Sequence, residues 1–282
     1  EEYSERMRVV EILTGHYFNK ATKFLRTATI ILSIGVIILS ALYFCVLVYA
    51  RILGAPPLAV PQSTLFYSDD ETVIGETNIG QKRYWVPLED ISPIMIDAVV
   101  AVEDRQFYNH SGFDYKRIAG AIVADIKAMD KVQGASTITQ QYARNLFLTH
   151  EKSWMRKFNE ALYTIRIEMN YSKDEILEGY LNTIYFGHGM YGIQSASQYY
   201  FGKDARDLNI QEASMLAGIP KGPSIYSPIK SMKNAKKRQS IVLQTMVDTG
   251  YISKKQKEKI SNLPLSLNGQ LTEMQSIAPY FM

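Results

Sequence analysis

Two adjacent carboxylates close an apolar run in the segment AVVAVEDRQFYNHSGFD. Glu103 and Asp104 follow small apolar residues with helical spacing, and Phe107 and His110 come shortly after them. A carboxylate at a helix end beside a cleft can act as a general base. A helix cap or a structural ion pair is the alternative, because such pairs also involve carboxylates in these positions.

A second polar group lies in the segment GASTITQQYARNLFL. On a helix with 3.6 residues per turn, Thr137, Gln141 and Arg144 share one face, with Gln140 and Lys152 nearby. A hydroxyl, an amide and a guanidinium together suit the binding of sugar hydroxyls and phosphate oxygens. The alternative is an ordinary solvent-exposed helix face. Two adjacent glutamines within an otherwise apolar stretch make that alternative weaker.

Two further predicted helices carry charged groups. In RKFNE, Arg156 and Glu160 are four residues apart and face the same way. A surface pair of this kind contributes little to stability. In SKDEILEGYLNTIYFG, Glu178 and Asn182 share a face between apolar residues. We expect Glu178 to have a structural role, with its carboxylate fixing neighbouring loops.

Composition limits the classes of protein to consider. The 282 residues are 46% hydrophobic and 21% charged, which is typical of a globular chain and excludes a disordered one. A net charge of +3 without a run of basic residues and interleaved aromatics gives no reason to predict nucleic acid as a partner. A single cysteine excludes an intramolecular disulfide, and four scattered histidines predict no metal site.

The segment 27–50 holds no charged residue. As a helix it would extend about 36 Å, enough to cross a hydrocarbon core of about 30 Å. The alternative is a buried core helix, although few such helices lack a polar face over this length. Lys20, Lys23 and Arg26 precede the span and only Arg51 follows it closely, so the positive-inside rule predicts a cytoplasmic N-terminus and an extracytoplasmic body.

The rest of the chain divides by composition. We predict a cytoplasmic segment at 1–26, a transmembrane helix at 27–50, a Pro-rich linker at 51–63, a catalytic domain at 64–250 and a tail at 251–282. The domain should begin with two or three short strands and continue as helices. Predicted helices after the first carboxylate pair lie at 115–129, 137–148, 155–170, 173–183, 192–200, 210–218 and 234–249.

The segment YKRIAGAIVADIKAM places Ile118, Ile122, Ile126 and Met129 on one stripe of a helix. Such a stripe either packs into the core or dips into a membrane interface. The spacing alone leaves both interpretations open.

Four motifs stand in an order that resembles a known family: EDRQFYNHSG, GASTITQQ, RKFNE and KDEILEGYLN. They are similar to EDxxFxxHxG, GxSTxTQQ, RKxxE and KxxILExYLN of the family 51 glycosyltransferases, the peptidoglycan glycosyltransferase modules of class A penicillin-binding proteins and of monofunctional transglycosylases. The resemblance covers roughly 64–250. The sequence differs from the family pattern at two positions. Arg144 stands where the family commonly has a lysine, and Gln239 stands where a second arginine often follows Arg238.

The resemblance implies a mostly α, lysozyme-like glycosyltransferase domain with a few short strands. It also implies polymerisation of lipid II, a disaccharide-pentapeptide on undecaprenyl pyrophosphate, into β-1,4-linked glycan. Because an α-linked donor gives a β product, the displacement inverts the sugar and needs one carboxylate base, which the resemblance assigns to Glu103. By the same resemblance Glu160 corresponds to the family's second catalytic glutamate, which would act on the leaving group directly or through a divalent cation, or would orient the basic residues around it.

The departing pyrophosphate needs positive charge more than a proton, and Arg144, Lys152, Arg156 and Lys157 are candidates to supply it. Phe107 and His110 should shape the cleft rather than transfer protons. The full set of predicted substrate-binding residues is Asp104, Phe107, His110, Ser136, Thr137, Gln140, Gln141, Arg144, Asn145, Lys152, Arg156 and Lys157.

No cofactor is expected to be obligatory, although a divalent cation, Mg²⁺ or Mn²⁺, could assist. The expected partners are lipid II, the growing lipid-linked strand, the lipid bilayer, the inhibitor moenomycin, and cell-wall synthesis or division proteins. The expected location is the cell membrane, with a single span.

Two rival functions fit parts of the sequence. A lysozyme or lytic transglycosylase also has a helical cleft and a key glutamate, but it releases no pyrophosphate and does not need the basic cluster. An inactive membrane scaffold would not need Glu103 and Glu160. SPIK and SLN lie too close together to frame a serine transpeptidase, and no KTG exists. Because the tail TEMQSIAPYFM resembles the junction into a transpeptidase and the chain starts at Glu1 rather than methionine, we expect it to be the N-terminal part of a bifunctional enzyme rather than a monofunctional transglycosylase.

Overall fold

The computed structural model describes residues 2–58, 64–67, 73–77, 82–128, 134–148 and 153–268. The chain divides into two compact units, Glu1–Ile52 and Leu53–Met282.

The first unit is built on one long helix, α1 (Glu2–Leu53). Its stretch Thr22–Leu53 has a mean hydropathy of 2.8 over its most apolar part, none of which is buried in the protein. The hydroxyls of Thr27 and Thr29 donate to backbone carbonyls one turn earlier, at 3.0 and 2.8 Å. The stretch therefore exposes apolar side chains and satisfies these polar groups internally, as a bilayer requires. Within the described residues it is the one helix long and apolar enough to cross a membrane.

The second unit is mostly helical. Its helices are α2 (Pro93–Glu103), α3 (Tyr115–Ala128), α4 (Ile138–Phe147), α5 (Trp154–Asn170), α6 (Lys173–Thr183), α7 (Ile193–Phe201), α8 (Ile210–Gly218), α9 (Pro223–Tyr226), α10 (Met232–Asp248) and α11 (Lys254–Ser261). Strands β1 (Thr64–Tyr67) and β2 (Val73–Thr77) pair antiparallel, and β3 (Lys82–Arg83) pairs parallel with β4 (Met190–Tyr191). The predicted fold class, a mostly α domain with a few short strands, is confirmed.

The core lies where α2, α4, α6, α8 and α10 pack against one another. Helix α4 approaches α6 closely at Gly179, where a Cβ would lie 2.1 Å from the hydroxyl of the buried Tyr142. Only glycine leaves room for that ring, so the contact fixes how the two helices cross. These two helices carry the polar residues of the second and fourth motifs.

The apolar stripe on α3 is exposed only in part. Ile122 and Ile126 of the stripe, with the neighbouring Val123, are more than half exposed to solvent, which excludes simple core packing for these three side chains, whereas Ile118 is partly buried. Met129 lies outside the described residues.

Of the seven predicted helix starts, those of α3, α6 and α8 match the structure, three others differ by one residue, and α10 begins two residues earlier than predicted. The shifts at α4 and α7 have identifiable reasons. Thr137 is the N-cap of α4 rather than its first residue, and its side chain accepts from the backbone N–H of Gln140 at 3.2 Å. Gly192 precedes α7 with a φ of 82°, a conformation that glycine adopts without strain. These local details explain the shifts without changing the order of elements.

Candidate active site

Glu103 is the last residue of α2, and its carboxylate is held by a relay of two side chains. The Gln141 amide donates from Nε2 to Glu103 Oε2 at 2.9 Å. The Tyr180 hydroxyl donates to the Oε1 atom of the same amide at 3.2 Å. Because Tyr180 supplies a donor on one side, the amide turns its NH₂ group toward Glu103. Burial raises the pKa of Tyr180 well above its usual value, and the Glu103 charge adds to this effect while Arg144 opposes it.

Glu103 lies on the wall of a cavity of about 600 Å³. The lining also carries basic residues from separate parts of the chain, namely Arg117, Lys221 and Arg238. The other lining residues are Ala101, Val102, Asp104, Arg105, Gln106, Asp114 and Gly134. The cavity therefore combines two partly exposed carboxylates, Glu103 and Asp114, with several cations, which suits an anionic ligand that carries hydroxyl groups.

Sequence reasoning did not select Arg117 or Lys221, and it noted Arg238 only within a motif. Lys221 had a signal, because it is a charged residue between proline and glycine in the loop GIPKGPSIY. The Lys221 side chain lines the cavity and does not belong to the exposed face of a long helix. Arg117 had no local signal, since it resembles any arginine in the first turn of a helix.

Asp104, beside Glu103, is fully buried and serves the framework. Its carboxylate oxygens lie 2.9 and 3.0 Å from Nε2 of His110, and Oδ2 accepts from the backbone N–H of Ile138 at 3.1 Å. Asp104 thus joins the end of α2 to the start of α4. Phe107 is also fully buried, with its ring in edge contact with His110 and under the ammonium of Lys173. Of these three residues only Asp104 lines the cavity, and the role of Phe107 and His110 in shaping the cleft, like contact of all three with substrate, stays a prediction.

Two residues predicted to bind substrate form a capping box at the start of α4. Thr137 Oγ1 donates to the carbonyl of Gly112 at 2.7 Å, and the Thr137 backbone N–H donates to Gln140 Oε1 at 3.0 Å. Both side chains are buried, and the Thr137 hydroxyl and the Gln140 Oε1 atom are already engaged in hydrogen bonds. Ser136 is partly buried just before them.

Glu160 is buried in α5, with a side chain only 1% exposed. Three cations surround it: Arg144 at 3.9 Å, Arg156 at 3.6 Å, and Lys157 in hydrogen-bond contact with Oε1. The cations keep between 21% and 49% of their side chains exposed. A buried anion therefore gathers three basic groups that still face outward. Asn145, next to Arg144, is exposed.

Helix α4 connects the two acidic groups. Gln141, which holds Glu103, and Arg144, which pairs with Glu160, are three residues apart and lie on one face about 5–6 Å from each other. The structure therefore brings together the residues selected from the first three motifs. Lys152 lies outside the described residues.

The structural role predicted for Glu178 is confirmed by its contacts. Its two carboxylate oxygens accept from the Trp85 indole N–H at 3.0 Å and from the backbone N–H of Leu88 at 2.9 Å. One turn later, the Asn182 side chain exchanges two hydrogen bonds with the backbone of Val86, at 2.9 and 2.8 Å. Helix α6 thus fixes the segment that leads into α2.

Gln239, the departure from the family pattern, is buried in α10. Its amide donates to the Gln211 carbonyl at 2.7 Å and to Ser214 Oγ at 3.1 Å, both in α8. The glutamine therefore joins two core helices and leaves cavity contact to Arg238. A neutral amide suits this buried position better than a second guanidinium would.

Metal chemistry has no candidate ligand group in the part of the chain that the structure describes. No three His, Cys, Asp or Glu side chains come together there in a way that could hold an ion. The assisting divalent cation stays a prediction, and no step below depends on it.

Comparison with known proteins gives one matching family and a consistent set of relatives. The sequence model of a family described as Transglycosylase matches residues 70–247. Penicillin-binding protein 2D of Bacillus subtilis (strain 168) is 52% identical over 275 residues, which cover 96% of this chain and 40% of that protein. Penicillin-binding protein 1A of Aquifex aeolicus (strain VF5) is 43% identical over 207 residues, covering 73% of this chain and 28% of that protein.

Among solved structures, the 2.6 Å crystal structure of penicillin-binding protein 1A from Haemophilus influenzae is similar. It is 26% identical with a TM-score of 0.43, covering 79% of this chain and 25% of that chain. The chain thus spans less than half the length of these relatives.

Proposed function

Because the chain belongs to the transglycosylase family, we propose that it is a peptidoglycan glycosyltransferase that polymerises lipid II into β-1,4-linked glycan strands for bacterial cell-wall synthesis. The observation that carries this proposal is that α4 contacts two acidic residues from other helices, Glu103 through Gln141 and Glu160 through Arg144. A partly exposed carboxylate, Glu103, lies on a cavity wall, and a buried one, Glu160, gathers three partly exposed cations. The proposed base and the proposed anion-binding cations therefore lie near each other but belong to two different groups of residues.

In the proposed reaction Glu103 removes the proton from the acceptor 4-hydroxyl as that oxygen attacks the donor sugar. The attack comes from the face opposite the leaving group, so the α-linked donor gives a β-linked product. The hydrogen bond from Gln141 orients the carboxylate and leaves its other oxygen, Oε1, available to accept the proton. A positioned base of this kind contributes about 10²- to 10⁴-fold to the rate.

The leaving group is the undecaprenyl pyrophosphate. Arg144, Arg156 and Lys157 are proposed to bind its oxygens and to stabilise the negative charge that develops there. Glu160 is proposed to hold these cations in place, because its carboxylate lies within 4.0 Å of all three. This arrangement favours a role for Glu160 in orienting the basic residues over a direct action on the leaving group.

The apolar helix supports a membrane anchor, and a lipid-linked substrate makes such an anchor useful. An enzyme held in the bilayer meets its substrate by diffusion in the same plane. By the positive-inside rule we place the N-terminus in the cytoplasm and the body outside. The exposed apolar side chains Ile122, Val123 and Ile126 support a further interfacial contact through α3.

The test is a polymerisation assay with labelled lipid II in detergent. The wild-type protein should form long glycan that moenomycin suppresses, and Glu103→Gln should lose about 10²-fold or more of the rate. Glu258→Gln, on the exposed face of α11, is the control and should match wild type. Cleavage of preformed glycan by the wild type would support a lytic enzyme instead. Absence of both reactions would support a scaffold.

A further inference from the structure

Arg117 contacts the backbone of the residue proposed as the catalytic base. Its guanidinium donates from Nη1 to the carbonyl of Glu103, and from Nη2 to the carbonyl of Gly134 at 3.2 Å. The first carbonyl ends α2, and the second lies in the segment that leads into α4. One planar fork therefore joins the two helices that carry Glu103 and Gln141.

The carbonyls of the last helical turn have no partner within the helix. In α2 the Val100 carbonyl accepts from the backbone N–H of Asp104 at 3.0 Å, and the Glu103 carbonyl is satisfied by Arg117. A cation at this end also complements the helix dipole. The contact is therefore favourable for α2 on two grounds.

The same arginine is badly placed for its own helix. Asp114 accepts from the Arg117 backbone N–H at 2.9 Å, as an N-cap does, so Arg117 lies in the first turn of α3. A positive charge in the first turn opposes the helix dipole. The stability of α3 therefore does not explain an arginine at position 117. The hydrogen bond to the end of α2 does explain it.

We infer that Arg117 is a positioning residue that sets the place of the Glu103 carboxylate by anchoring its backbone. This inference rests on the proposed glycosyltransferase function. The side chain fixes the base through the main chain, while Gln141 fixes it through the carboxylate. A loss of either contact should allow Glu103 to move on the cavity wall, and a misplacement of about 1 Å can cost about 10²-fold in rate.

The experiment measures kcat and KM for lipid II polymerisation in the full chain and follows thermal unfolding in parallel. Arg117→Ala should lower kcat about 10- to 100-fold with KM changed less than about threefold. Guanidinium ion at millimolar concentration should restore part of the lost kcat. Arg117→Lys keeps the charge but not the fork, so its kcat should lie at least about threefold below that of the wild type and above that of Arg117→Ala. Arg206→Ala, which removes an exposed arginine paired with Asp90, is the matched control and should match wild type.

A kcat within twofold of wild type in folded Arg117→Ala would overturn the inference, as would a rise in KM alone. If Arg117→Ala does not fold, the same criteria apply to Arg117→Lys. Should the wild type fail to polymerise lipid II, the proposed function fails by itself. Hydrogen exchange in residues 98–104 then tests the anchor. Faster exchange in Arg117→Ala than in Arg206→Ala supports it, and equal exchange overturns it.

Discussion

Gln141 and Glu103 are joined by a hydrogen bond of 2.9 Å from Nε2 to Oε2, across 38 residues of sequence. The bond links the first and second motifs, and its direction depends on a third element, because Tyr180 in α6 donates to the same amide. The candidate base is therefore oriented by side chains that are themselves held in the core.

Tyr180→Phe should lower kcat about fivefold, because losing one hydrogen bond of about 1 kcal/mol lets the Gln141 amide turn away from Glu103. Lipid II polymerisation rates measure the effect. Tyr200→Phe is the matched control, since it removes a buried tyrosine hydroxyl that donates to the Phe186 carbonyl at 2.8 Å. The control should lose similar stability and keep its rate. Equal rates in the two variants would count against the relay.

Glu160→Gln should destabilise the fold by about 1–3 kcal/mol, because three cations lose their shared anion. The cost should stay below that of a fully buried pair, since the cations remain partly exposed to water. Added salt should reduce the deficit by screening the repulsion among Arg144, Arg156 and Lys157. Denaturant unfolding at low and high salt measures both effects, with Glu258→Gln as the control. A deficit independent of salt would mean that charge is not its cause.

Gly179→Ala should destabilise the protein by about 1–3 kcal/mol, because the new Cβ would overlap the Tyr142 hydroxyl at the crossing of α4 and α6. Gly120→Ala makes the same chemical change in α3, where a Cβ meets nothing within 4 Å. It should stabilise by about 0.5–1 kcal/mol through helix propensity. Thermal unfolding of the two variants should therefore shift in opposite directions. A shift of the same sign in both would refute the packing argument.

The stability of the wild type should fall as the pH drops below about 6.5, in part because of His188. Burial, with a smaller contribution from Lys230, lowers the pKa of His188 in the folded protein. The unfolded chain then binds the proton more readily, so acid favours unfolding and stability rises with pH across this window. His188→Asn removes the titrating group. Asparagine tolerates the local φ of +53°, so the backbone should be retained.

Denaturant unfolding between about pH 5 and 7.5 checks this prediction. The stability of His188→Asn should depend less on pH than that of the wild type. Identical pH profiles would show that His188 contributes nothing to the acid sensitivity.

The structural role of each motif residue could be predicted only in part. Thr137, Gln140 and Gln141 look equivalent in the sequence, yet the structure uses the first two in a cap and directs the third at Glu103. The reason is where α4 begins, since a shift of one residue rotates every side chain by about 100°. Glu178 was predictable as a structural residue because it stands among apolar neighbours on a helix.

The sequence by itself determined the apolar N-terminal helix, the order of the helices, and the family, since these depend on local periodicity and on motif letters. Only the tertiary structure decided that Arg117, Lys221 and Arg238 meet Glu103 around one cavity, and that Glu160 is buried beneath three cations. Those relationships join residues far apart in the chain. They are set by how the helices pack, and side-chain periodicity within one helix carries no information about its neighbours.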